Sequence, residues 1–163
     1  MSVIILDNYA DNLEPLLNAD ADWRRAEGKL LRNSDTGEVS VYDHVRWKWF
    51  SKDLKQAWKS SIPQEVVDTY LTSTLLRIPA DGKLYPTTIG KQTATHVVGC
   101  FLSIALKDNQ HIIINGNKYS LGKGDAILFS PTDTWETDSV DEEALWSVNI
   151  VPAYKKDTYG KTV

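Results

Sequence analysis

The feature that most constrains the fold of this chain is a change in hydrophobic periodicity near residue 73. From there on, apolar residues fall in short runs separated by glycine, proline and other turn residues. Short runs bounded in this way indicate β-strands. The predicted strands cover residues 74–78, 96–106, 110–114, 118–121, 126–129 and 144–151. Several short strands at this spacing are typical of a β-barrel or a jelly roll.

The dipeptide Asn115-Gly116 is the clearest local turn signal in the chain. A two-residue type I′ turn requires positive φ at both central positions, which asparagine and glycine adopt readily. We therefore predict an antiparallel double-stranded β-helix over residues 73–151 with a tight turn at this dipeptide. The same prediction excludes a helix from residues 96–106 and 110–121.

The first 71 residues predict a mixed annex of strands and helices. The predicted elements are a strand at 2–6, a helix at 11–19, a hairpin of 29–32 with 38–42, and a helix ending at 59. Ser51 can cap that helix, and Ser61 can cap a second one with Pro63 in its first turn. We expect one α+β, mainly β domain. Its parts are an annex of residues 1–71 packed on the barrel, the barrel of 72–152, and a C-terminal tail of 153–163.

Charge and apolar content exclude several classes of function. A net charge of −4 gives no general attraction for nucleic acid or for an anionic membrane. No apolar stretch is long enough to span a bilayer, and residues 3–6 are too few for a signal-peptide core. The single Cys100 lies in an apolar run, where we expect a buried structural thiol rather than a nucleophile. The expected location is the cytoplasm.

The barrel half carries a resemblance to a known family. The segments concerned are LLRIP at 75–79, FLSIAL at 101–106, IIING at 112–116, LGKGDAILFS at 121–130 and WSVNIV at 146–151. Together with Gly82 and Pro86 they resemble iron/2-oxoglutarate oxygenases of the aspartyl/asparaginyl β-hydroxylase type, and in part cupins. The likeness covers roughly residues 72–152, about half the chain. It implies a double-stranded β-helix, which is a jelly-roll or cupin-like barrel.

The same resemblance implies that the iron ligands are missing. Members of that family hold Fe(II) with a His-x-Asp pair and a distal histidine, and clamp 2-oxoglutarate with a basic residue. Those ligand positions fall on Thr87, Ile89 and Trp135 here. The clamp position falls on or beside Leu145, and the last arginine in the chain is Arg77. We therefore expect no bound iron, no 2-oxoglutarate and no catalytic residue.

Two alternatives keep a ligand in the barrel. His96 and His111 are weak candidate metal ligands, and with nearby acids they would give an active hydroxylase with a rearranged site, using Fe(II) and 2-oxoglutarate. Neither they nor His44 is followed two residues later by Asp, Glu or His. Trp135 either fills the former active site or forms the wall of a small-ligand pocket, and filling is the favoured interpretation. Lys107 is more simply a solvated lysine than a keto-acid clamp.

Six acidic residues near the predicted barrel rim provide oxygen ligands of the type that a hard cation accepts. A solvated acidic loop is the simpler interpretation. The six are Asp133, Glu136, Asp138, Asp141, Glu142 and Glu143.

A mixture of bases and aromatic residues precedes the barrel. The run RWKWF at 46–50, followed by Lys52, Lys55 and Lys59, has the composition of a platform for single-stranded nucleic acid. The acidic total charge argues against that use, whereas tryptophan and arginine are usual anchors for protein partners. The predicted interface residues are Trp23, Arg46, Trp47 and Trp49. Alternatively, these tryptophans attach the annex to the barrel.

The sequence thus favours a non-catalytic, oxygenase-like β-helix protein that serves as a structural or interaction component. We expect a protein partner or a homo-oligomer in a larger assembly, and neither membrane nor nucleic acid. The polar tail at 154–163 has little with which to dock on its own domain, which also suggests a partner. In outline the chain resembles accessory and virion proteins of tailed phages that infect cyanobacteria. That resemblance implies a place in the virion.

Overall fold

Two antiparallel β-sheets pack face to face in the computed structural model, which describes residues 3–25, 40–87, 99–139 and 141–161. The strands are β1 (Ile4–Leu6), β2 (Arg24–Arg25), β3 (Asp43–Arg46), β4 (Thr72–Ile78), β5 (Lys83–Thr87), β6 (Gly99–Ala105), β7 (Gln110–Ile114), β8 (Asn117–Leu121), β9 (Ala126–Phe129), β10 (Trp135–Asp138) and β11 (Ala144–Pro152). The larger sheet has the order β1-β9-β6-β11-β4-β3-β2, and the smaller has the order β5-β10-β7-β8. This is the double-stranded β-helix, or jelly-roll barrel, that the sequence predicts.

The larger sheet is covered on both faces. Every residue of β6 is buried, and alternate residues point to opposite sides. Leu102 and Ile104 join an apolar cluster beneath the helices, whereas Phe101 and Ala105 join a second cluster between the two sheets. A strand buried on both faces loses the alternation of apolar and polar residues, which is why this segment reads as one continuous apolar run.

In the described part of the annex, three α-helices lie beside the larger sheet. They are α1 (Glu14–Leu17), α2 (Lys52–Ser61) and α3 (Gln64–Val67). The hydroxyl of Ser51 accepts a hydrogen bond from the backbone nitrogen of Leu54 at 3.1 Å, so the predicted N-cap is confirmed. Among the described residues, no helix is long and apolar enough to cross a membrane.

Other predictions for the annex were wrong or lie outside the described residues. Ser61 does not cap a second helix: it ends α2, and its hydroxyl accepts a hydrogen bond from the backbone nitrogen of Leu16 at 2.9 Å. The predicted helix at 11–19 is reduced to the four residues of α1. Residues 29–39 of the predicted hairpin lie outside the described residues, and Val41 makes an isolated antiparallel bridge to Lys83.

The turn between β7 and β8 is the predicted one. Asn115 has φ of 50° and Gly116 has φ of 83°, and Ile114 pairs with Asn117 across the turn. Two consecutive positive φ values are the signature of the type I′ hairpin. The described parts of 96–106 and 110–121 contain no helix.

The C-terminal tail docks on its own chain, contrary to the expectation for a polar segment. Tyr159 is only 2% exposed, and its hydroxyl lies 2.8 Å from Oγ1 of Thr69. The backbone nitrogen of Gly160 donates to Oε1 of Glu65 at 2.8 Å, and the glycine lies against Leu6. One aromatic side chain and two hydrogen bonds therefore hold a tail that is otherwise polar. This docking removes the argument that a partner must order the tail.

Two glycines with positive φ provide a matched stability test. We expect Gly116→Ala to lower the free energy of unfolding by about 1 kcal/mol, because the added methyl group meets no atom but the left-handed backbone disfavours an L-residue. At Gly124 a Cβ would lie 2.3 Å from the carbonyl oxygen of Ala10. Because of this overpacking, Gly124→Ala should lower the free energy of unfolding by about 1–3 kcal/mol more than Gly116→Ala does. Urea unfolding of both variants checks this, and equal losses would contradict the predicted contact with Ala10.

Candidate functional site

Two of the three positions at which the resemblance would place iron ligands lie together on the smaller sheet. Thr87 on β5 and Trp135 on β10 are direct cross-strand partners, and Trp135 also pairs with Ile114 on β7. Ile89 lies outside the described residues. The indole of a tryptophan has no lone pair to give to a metal. The hydroxyl of a threonine is a poor ligand for Fe(II). These residues do not fit an iron centre of the oxygenase type.

The side chain of Trp135 bridges the two sheets. It is 7% exposed, and its ring centroid lies 5.8 Å from that of Phe101 and 5.9 Å from that of Phe129. The two phenylalanines are stacked on the facing sheet at 5.0 Å. The indole therefore contributes a large apolar surface to the cluster between the two sheets.

The side chain of Arg77, on β4, points away from the barrel interior. Arg77 donates to Oδ2 of Asp43 through Nη2 at 2.8 Å, and its guanidinium carbon lies 4.5 Å from the ring centroid of Trp23. Asp43 is the only charged side chain buried among the described residues. Leu145, at or beside the clamp position, packs partly buried against the annex cluster. The described residues thus place neither Arg77 nor Leu145 where a keto-acid carboxylate would lie in the barrel.

Three buried polar atoms inside the barrel are unsatisfied by the described residues. They are Oγ of Ser103 and the indole nitrogens Nε1 of Trp135 and Trp146. Ser103 lies on the same face of β6 as Phe101 and Ala105, and Ala105 is the cross-strand partner of Trp146. A buried polar group without a partner costs free energy. The interior of the barrel is therefore apolar with isolated hydrogen-bonding groups.

The histidines do not form a metal site in the part of the chain that the structure describes. His111 lies half-buried on β7 beside the inward-facing Ile112, and its Nδ1 is 3.1 Å from Oγ of Ser120. His96 lies outside the described residues. Burial, and then the charge of Arg46, lowers the pKa of His44. Within the described ranges, no group of three or more His, Cys, Asp or Glu residues is arranged to hold a metal ion.

The acidic residues near the rim divide into separate roles. The Asp133 carboxylate accepts hydrogen bonds from the backbone nitrogen of Ser130 at 3.0 Å and from Nδ2 of Asn115 at 2.9 Å, so it stabilises two turns. Glu136 lies on β10. The other four line a surface cavity with Asp108 and His111: they are Asp138, Asp141, Glu142 and Glu143. Lys107 donates to the backbone oxygen of Glu143 at 3.2 Å.

The predicted interface residues do not form one continuous surface. The Trp47 ring packs 5.0 Å from Trp58, 5.0 Å from Tyr70 and 4.9 Å from Phe50, so it holds the annex together. Trp49 is half-buried and has different neighbours from Trp47, because its ring centroid lies 5.6 Å from that of His44.

Cations surround the ring of Trp49. The guanidinium carbons of Arg24 and Arg46 lie 4.9 and 5.7 Å from its centroid, and Nζ of Lys48 lies at 5.3 Å. Arg24 is not among the interface residues that the sequence predicts. Its contact with Trp49 depends on β2 pairing with β3, which no local pattern predicts.

Comparisons with known proteins identify the fold. No family model matches the chain, and no curated protein matches it. Among solved structures, it is similar to the non-heme α-ketoglutarate-dependent epimerase SnoN from nogalamycin biosynthesis (TM-score 0.62, 11% identity, covering 91% of this chain and 76% of that one). It is also similar to the viral collagen prolyl hydroxylase vCPH from Paramecium bursaria Chlorella virus-1 (TM-score 0.62, 12% identity, 94% and 97%).

A third solved structure is a predicted oxalate decarboxylase from Thermotoga maritima (TM-score 0.51, 9% identity, 80% and 91%). The chain therefore has the barrel fold that cupins and 2-oxoglutarate oxygenases share. At these identities the likeness concerns the fold alone.

Trp135 should contribute strongly to stability. We expect Trp135→Ala to lower the free energy of unfolding by about 3–5 kcal/mol, because it removes an indole buried between two sheets. Trp49→Ala is the control, because that indole is only half-buried, and it should cost about 1–2 kcal/mol. Urea unfolding measures both. A loss at Trp135 no larger than that at Trp49 would mean that the indole does not support the barrel.

Cys100 is the buried, inert thiol that the sequence predicts. It is fully buried in the annex cluster, and burial raises the pKa of the thiol from 9.0 to about 11, with Lys156 opposing the shift. A thiol of this kind is neutral and unreactive at neutral pH.

The raised pKa predicts a loss of stability in alkali. The folded state holds the thiol proton more tightly than the unfolded state. The protonated thiol therefore contributes fully to the free energy of unfolding below about pH 9, and this contribution is lost as the pH rises towards about 11. Over that interval we expect the free energy of unfolding to fall about 2 kcal/mol further in the wild type than in Cys100→Ala. Urea unfolding across the pH range measures this. Parallel pH profiles for the two proteins would contradict it.

Proposed function

We propose that this chain is a non-catalytic member of the oxygenase-like β-helix class and serves as a structural or protein-interaction component. The observation that carries the proposal is the position of Trp135. Its indole packs against Phe101 and Phe129 across the barrel, and its backbone pairs with Thr87. A metal-binding imidazole would be needed at that position for oxygenase chemistry.

The placement of the charged groups supports the same proposal. Arg77 is engaged with Asp43 and Trp23 outside the barrel. An oxygenase needs a cation inside the barrel to hold the cosubstrate carboxylate. The three similar solved structures bear the names of enzymes, but 9–12% identity carries no activity over to this chain.

The finer parts of the proposal rest on the sequence alone. We extend it to a protein partner or a homo-oligomer in a larger assembly. The outline that resembles virion proteins of cyanobacterial phages makes a virion the assembly to examine first. Otherwise the protein would act in the cytoplasm. No cofactor is needed for this role.

A second candidate is a barrel that binds a small polar ligand. The observation in its favour is the set of unsatisfied groups at Ser103, Trp135 and Trp146. A ligand with hydrogen-bond acceptors would satisfy such donors. Trp135 would then form a wall of the pocket. The active hydroxylase remains a third alternative, and it would need His96 and His111 in a rearranged site with Fe(II) and 2-oxoglutarate.

The first test is a direct assay for the oxygenase cofactors. Protein purified anaerobically with added Fe(II) should retain no stoichiometric iron by metal analysis, and it should release no succinate from 2-oxoglutarate above a control without enzyme. The physical reason is that Thr87 and Trp135 supply no metal ligand of the required kind. An authentic 2-oxoglutarate oxygenase assayed in parallel shows that the conditions support turnover. Iron bound one to one, or succinate above background, would overturn the proposal.

A further inference from the structure

Among the described residues, three arginines lie against tryptophan rings at the end of the larger sheet formed by β2, β3 and β4. The guanidinium carbon of Arg77 is 4.5 Å from the centroid of Trp23, and those of Arg24 and Arg46 are 4.9 and 5.7 Å from that of Trp49. A guanidinium held over an indole keeps its N–H donors available at its edge. Since the ring restrains the side chain, less conformational entropy is lost when those donors bind an acceptor.

Two of these three arginines already hold a carboxylate. Nη2 of Arg77 is 2.8 Å from Oδ2 of Asp43, and Nη2 of Arg24 is 2.9 Å from Oδ2 of Asp22. Arg46 is exposed, and the described residues offer it no ion-pair partner. Near this end of the larger sheet, tryptophan, arginine and carboxylate thus occur together twice, and none of the described residues supplies a carboxylate to Arg46.

Positive charge is concentrated around the ring of Trp49. Lys48 is exposed beside Arg46, with Nζ 5.3 Å from the same ring centroid. Trp49 also borders a surface cavity whose lining includes Asp20, Asp22 and Asp53. An acidic group is therefore attracted to the exposed bases Arg46 and Lys48 and repelled by the carboxylates of this cavity.

We propose that Arg46 and Lys48 bind the carboxylates of an acidic segment of a partner protein, with Arg46 stacked on Trp49. This inference rests on the proposed interaction role and names the chemistry of the partner. Carboxylate is the ligand that the two neighbouring arginines already take. Nucleic acid is disfavoured because Arg24, Lys48 and His44 surround the Trp49 ring and Trp47 is packed within the annex, which leaves no free platform for base stacking.

The test uses the full chain and defined peptides. A short fluorescein-labelled peptide of alternating glutamate and serine should bind by fluorescence anisotropy, whereas its glutamine counterpart should not. Arg46→Glu should weaken binding at least about tenfold, since hydrogen bonds to charged groups contribute on this scale. Arg46→Lys should weaken it about threefold, because an ammonium cannot form the bidentate contact.

The control carries the same change of charge elsewhere. Lys118 is exposed on β8, so Lys118→Glu alters net charge equally and should change affinity less than about twofold. Arg46 is exposed, and circular dichroism should give the same spectrum for both variants. Raising NaCl from about 50 mM to about 200 mM should weaken binding of the glutamate peptide to the wild type.

Several outcomes would overturn the inference. These are equal affinity of Arg46→Glu and Lys118→Glu, equal binding of the glutamine peptide, or tighter binding of a single-stranded oligonucleotide. Self-association in light scattering that Arg46→Glu abolishes would assign the site to a second copy of this chain instead. Iron binding would overturn the proposed function without changing these peptide affinities, so the two failures can be told apart.

Discussion

Strands β6 and β9 of the larger sheet are buried on both faces, and the rest of the molecule is arranged around that constraint. Each face of such a sheet presents apolar side chains to be removed from water, so each face needs a separate layer of structure to cover it. The smaller sheet covers one face, and the annex with the C-terminal tail covers the other. β6 and β11 thus separate two cores, and their buried residues belong to one core or the other by alternation along the strand.

The parts of this arrangement that could be predicted are those with strong local chemistry. Asn115-Gly116 determines its turn by itself, and the apolar runs at 110–114 and 126–129 match β7 and β9. The strand β10 was not predicted, because its sequence WETD has two acids in four residues and owes its conformation to pairing with β5 and β7. β5 was missed for a similar reason, since it contains Pro86.

The candidate site illustrates the same limit. The resemblance suggested that Thr87 and Trp135 occupy related positions, and the strand pairing does bring them side by side. No pattern in the sequence, however, indicates that Arg77 faces outward to Asp43, because that depends on β3 lying next to β4. Nor does the composition of RWKWF distinguish Trp47, which packs within the annex, from Trp49, which lies among cations. Both tryptophans lie on one short 3-10 helix, and their surroundings differ because the two side chains point in different directions from it.

The docked tail has a consequence for how the protein is made. Gly160 lies against Leu6 and donates a hydrogen bond to Glu65, and β1 pairs with β9, so residues far apart in the sequence complete the annex core. Such contacts form late in folding because a long stretch of chain must be closed to make them. On the ribosome, Cys100 and its neighbours therefore cannot be covered fully until the segment that carries Tyr159 has been synthesised. Before that point the nascent chain exposes an apolar surface to which a chaperone can bind.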